Sequence, residues 1–221
     1  IDALGKLTAR IHTTSSGQGH ETLVSTVLGE VMQIDPEVIR ITRPNSLESL
    51  PGNSPVGSRM AIMLGGAAAR AGEKLKAKIM AIAAHRLGVD IDQLRYEGGD
   101  VLAHDSRRFT WDEMVELAHR QYHNLPDGMD PGLASFDIMQ VPTGDALPVN
   151  DKVQMYPCYS FEFHLLLVSF DPIIGRPDIH SYFIGHDCGT VINPAIVSGM
   201  TYGGIAPVSY THLTLPTICS V

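Results

Sequence analysis

Cysteine is scarce in this chain and basic residues are outnumbered, and each shortage closes off a class of function. The three cysteines, Cys158, Cys188 and Cys219, form no CxxC pair. A disulfide framework and a cysteine zinc site are therefore not expected, which fits a reducing, cytoplasmic compartment. Lys and Arg number 16 against 24 Asp and Glu, for a formal net charge of -8. A nucleic-acid surface needs clustered positive charge, so no nucleic-acid partner is expected and any phosphate must be held locally. Long apolar runs are missing as well. The longest, around Phe161 to Phe170, carries Glu162 and His164 and is too short to cross a bilayer, so no membrane partner is expected. No signal peptide is visible, although the chain starts at Ile1 without a methionine, which leaves an upstream leader open. There is no Gly-x-Ser-x-Gly elbow, which disfavours a serine hydrolase of that type. His119 and His123 stand four apart, but the glutamate and third ligand of a zinc hydrolase helix are absent, so no metal ligand is assigned.

What is present reads as a folded chain, with 221 residues and 44% hydrophobic content. Leu7 to His12 alternates like a half-buried strand, and a polar turn leads into helical spacing over Glu21 to Gln33. Asp35-Pro36 stops that helix before a second strand at Val38 to Thr42. After an irregular stretch from Arg43 to Val56, residues Ser58 to Leu87 are good helix formers, with Ser58 as the expected N-cap and Gly88 as the stop. Gly65-Gly66 within it marks either close packing or a break. A strand pair around Gly98-Gly99-Asp100 follows, then a capping box at Thr110 to Glu113 opening a helix to about Tyr122. Two further strands, Tyr159 to Phe170 and Asp178 to His186, precede a helix from about Ile196 to Ala206. The expectation is an α+β fold of two mixed-sheet lobes with helices packed on the sheets. The lobes divide as 1–123 and 152–207, with a Pro-, Gly- and Asp-rich linker or crossover at 124–151.

Three loops carry the chemistry. Gly17-Gln18-Gly19-His20 combines an open backbone with the amides of a helix N-terminus, which favour an anion, and Gln18 offers both a donor and an acceptor. Gly57-Ser58-Arg59 begins the long helix, so amides, hydroxyl and guanidinium can converge on a phosphate. Asp187-Cys188-Gly189-Thr190-Val191-Ile192-Asn193-Pro194 brings polar groups from a strand end to a helix start, where Pro194 loses least. Each also has a plain reading: a turn, an N-cap beside a solvated arginine, and a capped turn with a buried cysteine.

In this order GQGHET, VGSR with its alanine-rich helix, and HDCGTVINPAIVSGMTYGGIA strongly resemble the molybdopterin-binding large subunit of the molybdenum hydroxylases, the family of xanthine dehydrogenase, aldehyde oxidoreductases and aerobic carbon monoxide dehydrogenase. The resemblance runs from Ile1 to Ala206 and implies a molybdenum-cofactor-binding fold. It assigns Gln18, Gly19 and His20 to the pterin or phosphate, Gly57, Ser58 and Arg59 to the same cofactor, and Asp187, Cys188 and Asn193 to its distal part. The implied cofactor is molybdopterin with molybdenum, as the mononucleotide or the cytosine dinucleotide. The implied partners are an iron-sulfur subunit and a flavin (FAD) subunit, and the implied reaction is oxidation of an aldehyde, N-heterocycle or similar small molecule with water as oxygen source. Gly203-Gly204-Ile205-Ala206 is followed by Pro207 where the family continues with glutamine and glycines, and the Gly-Glu-Pro glutamate base has no counterpart. The chain therefore reads as an internal fragment with no catalytic residue, inactive alone. Val208 to Thr217 reads VSYTHLTLPT, the translation of a transposon-end sequencing adapter, so 208–221 is expected to be an adapter-derived tail. The rival reading is a non-catalytic dinucleotide- or phosphate-binding module.

Overall fold

The computed structural model describes residues 1–43, 45, 47–50, 55–139 and 159–209. The expectations for Cys158, Cys219 and the tail beyond residue 209 lie outside these. Two compact units divide the chain, Ile1–Val141 and Pro142–Val221.

In the first unit β1 (Thr8–Arg10) and β2 (Arg40–Thr42) pair in parallel and are joined through α1 (His20–Met32). Parallel neighbours need such a crossover, and it delivers the start of α1 to the carboxyl ends of both strands. The expected strands at Leu7 to His12 and Val38 to Thr42 are shortened to three residues each; β2 starts late because Pro36–Val38 turns as a 3-10 helix capped by Asp35.

The long helix α2 (Met60–Leu87) is unbroken and packs on α1. Its glycines decide the approach: a Cβ on Gly65 would lie 3.6 Å from Leu23, and one on Gly72 only 2.8 Å from Val31 and 3.2 Å from Leu28. Because Leu23 meets Gly65 while Leu28 and Val31 meet Gly72, the two helices run in the same direction. Gly65-Gly66 is thus a packing feature and not a break. Val24, Leu28 and Met32 on α1 and Leu75, Ile79, Ile82 and Ala83 on α2 repeat at helical spacing and are buried together.

An antiparallel meander, β3 (Leu94–Glu97), β4 (Asp100–Ala103) and β5 (Arg108–Phe109), follows, with Tyr96 opposite Val101 and Val101 opposite Phe109, all three buried. In α3 (Trp111–His119) the Thr110 hydroxyl accepts from the Glu113 amide while the Glu113 carboxylate accepts from the Thr110 amide. This helix ends at His119 rather than near Tyr122, and Tyr122–Asn124 forms a 3-10 turn.

The segment expected as a linker from residue 124 belongs to the first unit as far as it is described. Leu125 and Leu133 are buried in its core. Lys78 donates to the Asp130 carbonyl at 2.8 Å, Lys74 to that of Phe136 at 3.1 Å, and Ser135 to that of Ala71 at 2.7 Å. Asp137 pairs with Arg70 and with Lys74. A Pro- and Gly-rich composition marks irregular backbone, not absence from the core.

In the second unit β6 (Phe161–Phe170) and β7 (Pro177–Asp187) form a hairpin closed by Asp171, whose Oδ1 accepts from the Ile173 amide at 2.8 Å. α4 (Pro194–Ser209) follows. No helix among the described residues is long and apolar enough to cross a membrane.

Candidate cofactor-binding site

The carboxyl ends of parallel strands with a helix start between them form the crevice where α/β units hold ligands. Here that place is made by the loop after β1, the first turn of α1 and Arg43 just past β2. Gly17 and Gly19 have φ of 104° and 71°, a region L side chains rarely adopt, and nothing lies within 4 Å of a Cβ built on Gly17. Gly19 ends the loop as the N-cap of α1 and, having no side chain, gives the first-turn amides no side-chain cap of its own.

Gln18 points inward on its own loop. Its Oε1 accepts from the Ser16 amide at 2.5 Å and from the Ser15 hydroxyl at 3.3 Å. The amide oxygen is thus engaged locally, so the side chain presents Nε2 as a donor and not the donor–acceptor pair expected from sequence.

His20 is only 3% exposed, yet its Nδ1 has no hydrogen-bond partner. Its affinity for a proton is lowered, by burial first and then by the positive charge of Arg43. Thr13 Oγ1, in the β1–α1 loop, is likewise buried without a partner. Orphaned buried polar atoms are rare in a finished fold, and one in this loop with another on the first residue of α1 mark a place that accommodates a polar group.

The second loop meets the same end of the α1–α2 pair. Gly57 and Ser58 both have positive φ, 70° and 51°. Arg59, not Ser58, is the N-cap of α2, and it makes no side-chain cap bond. An N-cap serine needs extended backbone to reach the N3 amide, and Ser58 is not in that conformation. The contact of Leu23 with Gly65 lies three residues into α1 and five into α2. At about 1.5 Å rise per residue the two helix starts are level to within ~3 Å along their common direction. The Gln18 and Ser58 loops therefore share one end of the helix pair, where neither N-cap residue bonds the first-turn amides through its side chain.

The third loop lies in the second unit. Asp187 Oδ1 accepts from the Gly189 amide at 2.9 Å. Asn193 Oδ1 accepts from the Ile196 amide at 3.0 Å, capping α4 ahead of Pro194. Cys188 is a free, exposed thiol rather than a buried small hydrophobe. Among the described residues no group of three His, Cys, Asp or Glu side chains is set to hold a metal ion, and His119 and His123 fall on different elements.

Arg43 escaped the sequence reading. Its guanidinium pairs with Glu21 in the first turn of α1. The signal that finds it is positional: a basic residue directly after the second strand of a β–α–β unit stands at the crevice.

Comparison with known proteins fits this geometry. The model of the molybdopterin cofactor-binding domain matches residues 1–207. The carbon monoxide dehydrogenase large chain of Hydrogenophaga pseudoflava is 31% identical over 207 residues, covering 93% of this chain and 24% of that protein. The nicotine 6-hydroxylase large subunit of Paenarthrobacter nicotinovorans is 28% identical with the same coverage. Reconstituted CO dehydrogenase from Oligotropha carboxidovorans superposes with a TM-score of 0.78 at 28% identity, over 92% of this chain and 24% of that one. Quinoline 2-oxidoreductase from Pseudomonas putida 86 superposes with a TM-score of 0.77 at 26% identity, over 93% of this chain and 25% of that one. The chain spans about a quarter of the length of these relatives, and it belongs to the molybdopterin cofactor-binding domain family.

Proposed function

We propose that this chain is the part of a molybdenum hydroxylase large subunit that holds the pterin and phosphates of its cofactor. The observation that carries the reading is the pair of helix starts, α1 and α2, whose N-cap residues make no side-chain cap bond, at one end of a parallel helix pair beside the buried His20, whose Nδ1 has no hydrogen-bond partner. Free amides and helix dipoles at such ends attract phosphate. When bound, the molybdenum cofactor supplies the redox chemistry that oxidises an aldehyde, N-heterocycle or similar small substrate with water as oxygen source.

This chain's residues bind and orient. Gln18, Gly19 and His20 contact pterin or phosphate, Gly57, Ser58 and Arg59 the same cofactor, and Asp187, Cys188 and Asn193 its distal part. The cofactor would be the mononucleotide or the cytosine dinucleotide form, and the partners would be iron-sulfur and flavin (FAD) subunits in the cytoplasm. Residues 208–221 are an adapter-derived tail; the family match ends at 207, and re-sequencing across that junction tests the claim. Family membership favours this reading over a free-standing phosphate-binding module.

The test uses Gln18→Glu in the complete large subunit. Glutamate keeps the oxygen that ties the loop to Ser15 and Ser16 and replaces the outward donor with negative charge. Cofactor released on denaturation, measured by pterin fluorescence, should drop about tenfold or more per subunit, from the loss of a charge-assisted bond of ~1.5–3 kcal/mol. Unchanged occupancy would refute the assignment of this loop.

A further inference from the structure

We propose that Arg43 is an exchangeable anion clamp of the crevice: it leaves Glu21 and takes a phosphoryl oxygen of the cofactor when that group binds at the start of α1. The inference rests on the functional reading above and adds to it a residue and an exchange of partners.

Three observations support it. Arg43 follows β2 directly, so its backbone is fixed at the carboxyl end of the parallel pair. Its guanidinium reaches the first turn of α1, where it pairs with Glu21. His20, the first residue of that helix, is buried with Nδ1 unpartnered, and helical side chains lean toward the N-terminus of their helix. The positive charge of Arg43 is near enough to oppose protonation of His20. A helix start, a cation and an orphaned buried nitrogen thus converge.

The chemistry makes the exchange favourable. The Arg43 and Glu21 side chains are 41% and 32% exposed, so although the paired Glu21 oxygen is buried, neither side chain is locked in the core and the guanidinium is free to change partners. A phosphoryl group offers the planar guanidinium two oxygens and a higher charge, and the bidentate bond is stronger. Glu21, once released, keeps a favourable position in the first turn of α1, where the helix dipole attracts negative charge. Its cost is repulsion of the bound anion, so Glu21 acts as a competitor that sets the affinity threshold.

Titration calorimetry of the 221-residue chain with inorganic pyrophosphate at low salt and neutral pH tests this directly. Arg43→Gln should weaken binding about tenfold, equivalent to about 1.4 kcal/mol, and Arg43→Lys should recover part of the loss. Glu21→Gln should tighten binding, and that gain should shrink when combined with Arg43→Gln, because only the relief of direct repulsion then remains. Trp111 fluorescence reports that each variant is folded. Pyrophosphate affinity unchanged in Arg43→Gln, or a Glu21→Gln gain equal with and without Arg43, overturns the clamp and leaves the anion site standing. No pyrophosphate binding by any variant, wild type included, overturns both the clamp and the phosphate-holding role assigned to this crevice.

Discussion

Substituting alanine for Gly72 inserts one methyl group where α1 and α2 come closest, and the structure fixes the sign of the result. The new Cβ would stand 2.8 Å from Val31 Cγ1, 3.2 Å from Leu28 Cδ2 and 3.3 Å from Val31 Cβ. Carbon atoms rest at about 3.5–4.0 Å, so the helices must part by somewhat under 1 Å or Val31 must leave its rotamer. Overpacking of this kind costs about 1–3 kcal/mol. Gly65→Ala is the matched control: same helix, same substitution, but the nearest atom is Leu23 Cδ1 at 3.6 Å, an ordinary contact. Both changes gain about 0.8–1.0 kcal/mol of helix propensity, so that term cancels in their difference. Gly65→Ala should therefore stabilise the first unit, and Gly72→Ala should fall about 1–3 kcal/mol below it. Trp111 is the single tryptophan and donates to the Gly5 carbonyl at 3.0 Å, so its fluorescence in urea titrations follows the first unit alone. Equal stability of the two variants would refute the parallel, glycine-mediated packing and the shared end of the helix pair derived from it.

Thr110→Ala removes both hydroxyl bonds of the capping box, to the Glu113 amide at 3.3 Å and the Glu113 carboxylate at 2.9 Å. It should cost about 1 kcal/mol in the same urea titration, and no measurable loss would refute that cap. His20 supplies a pH test: its folded pKa lies below the ordinary 6.5, so the unfolded chain binds the proton more readily. Its contribution is fully present above about that ordinary value and is lost as pH falls through it toward the folded pKa. Stability of the first unit should decline over that acidic window and do so less in His20→Gln; identical slopes would refute burial of a neutral imidazole.

How much of this was legible in the sequence depends on how local each cause is. α1 and α2 could be read to within two residues, because helical spacing and the Gly88 stop are properties of adjacent positions. The same holds for the capping box, whose partners stand three apart. β5 is two residues long and exists only through its pairing with β4, so no pattern of its own announces it. The stretch from 125 to 139 was opaque for a related reason. Its order comes from Lys74, Lys78 and Ala71, more than fifty residues away in sequence. The three loops of the candidate site were visible as glycine patterns, but the direction of their hydrogen bonds was not. Arg43 was hidden because a lone arginine after a strand gains meaning only once the strand is known to be parallel.

The helix starts show where stability and ligand binding part ways. α3 begins with a reciprocal capping box, and α4 with Asn193 bonded to the Ile196 amide. α1 and α2 begin with Gly19 and Arg59, neither of which makes a side-chain cap bond. A good cap is worth about 1 kcal/mol, so leaving it out at two buried-face helices forgoes stability that a serine or aspartate would have supplied. What remains at those two ends is a set of donors. Neither N-cap residue bonds the first-turn amides through a side chain, and Gln18 turns its oxygen back to Ser15 and Ser16. A surface of donors beside Arg43 selects an anion over the mixed edge of a heterocycle. On the proposed function, these two loops therefore hold the phosphate end of the cofactor, and recognition of the pterin edge falls to residues that can still accept a hydrogen bond.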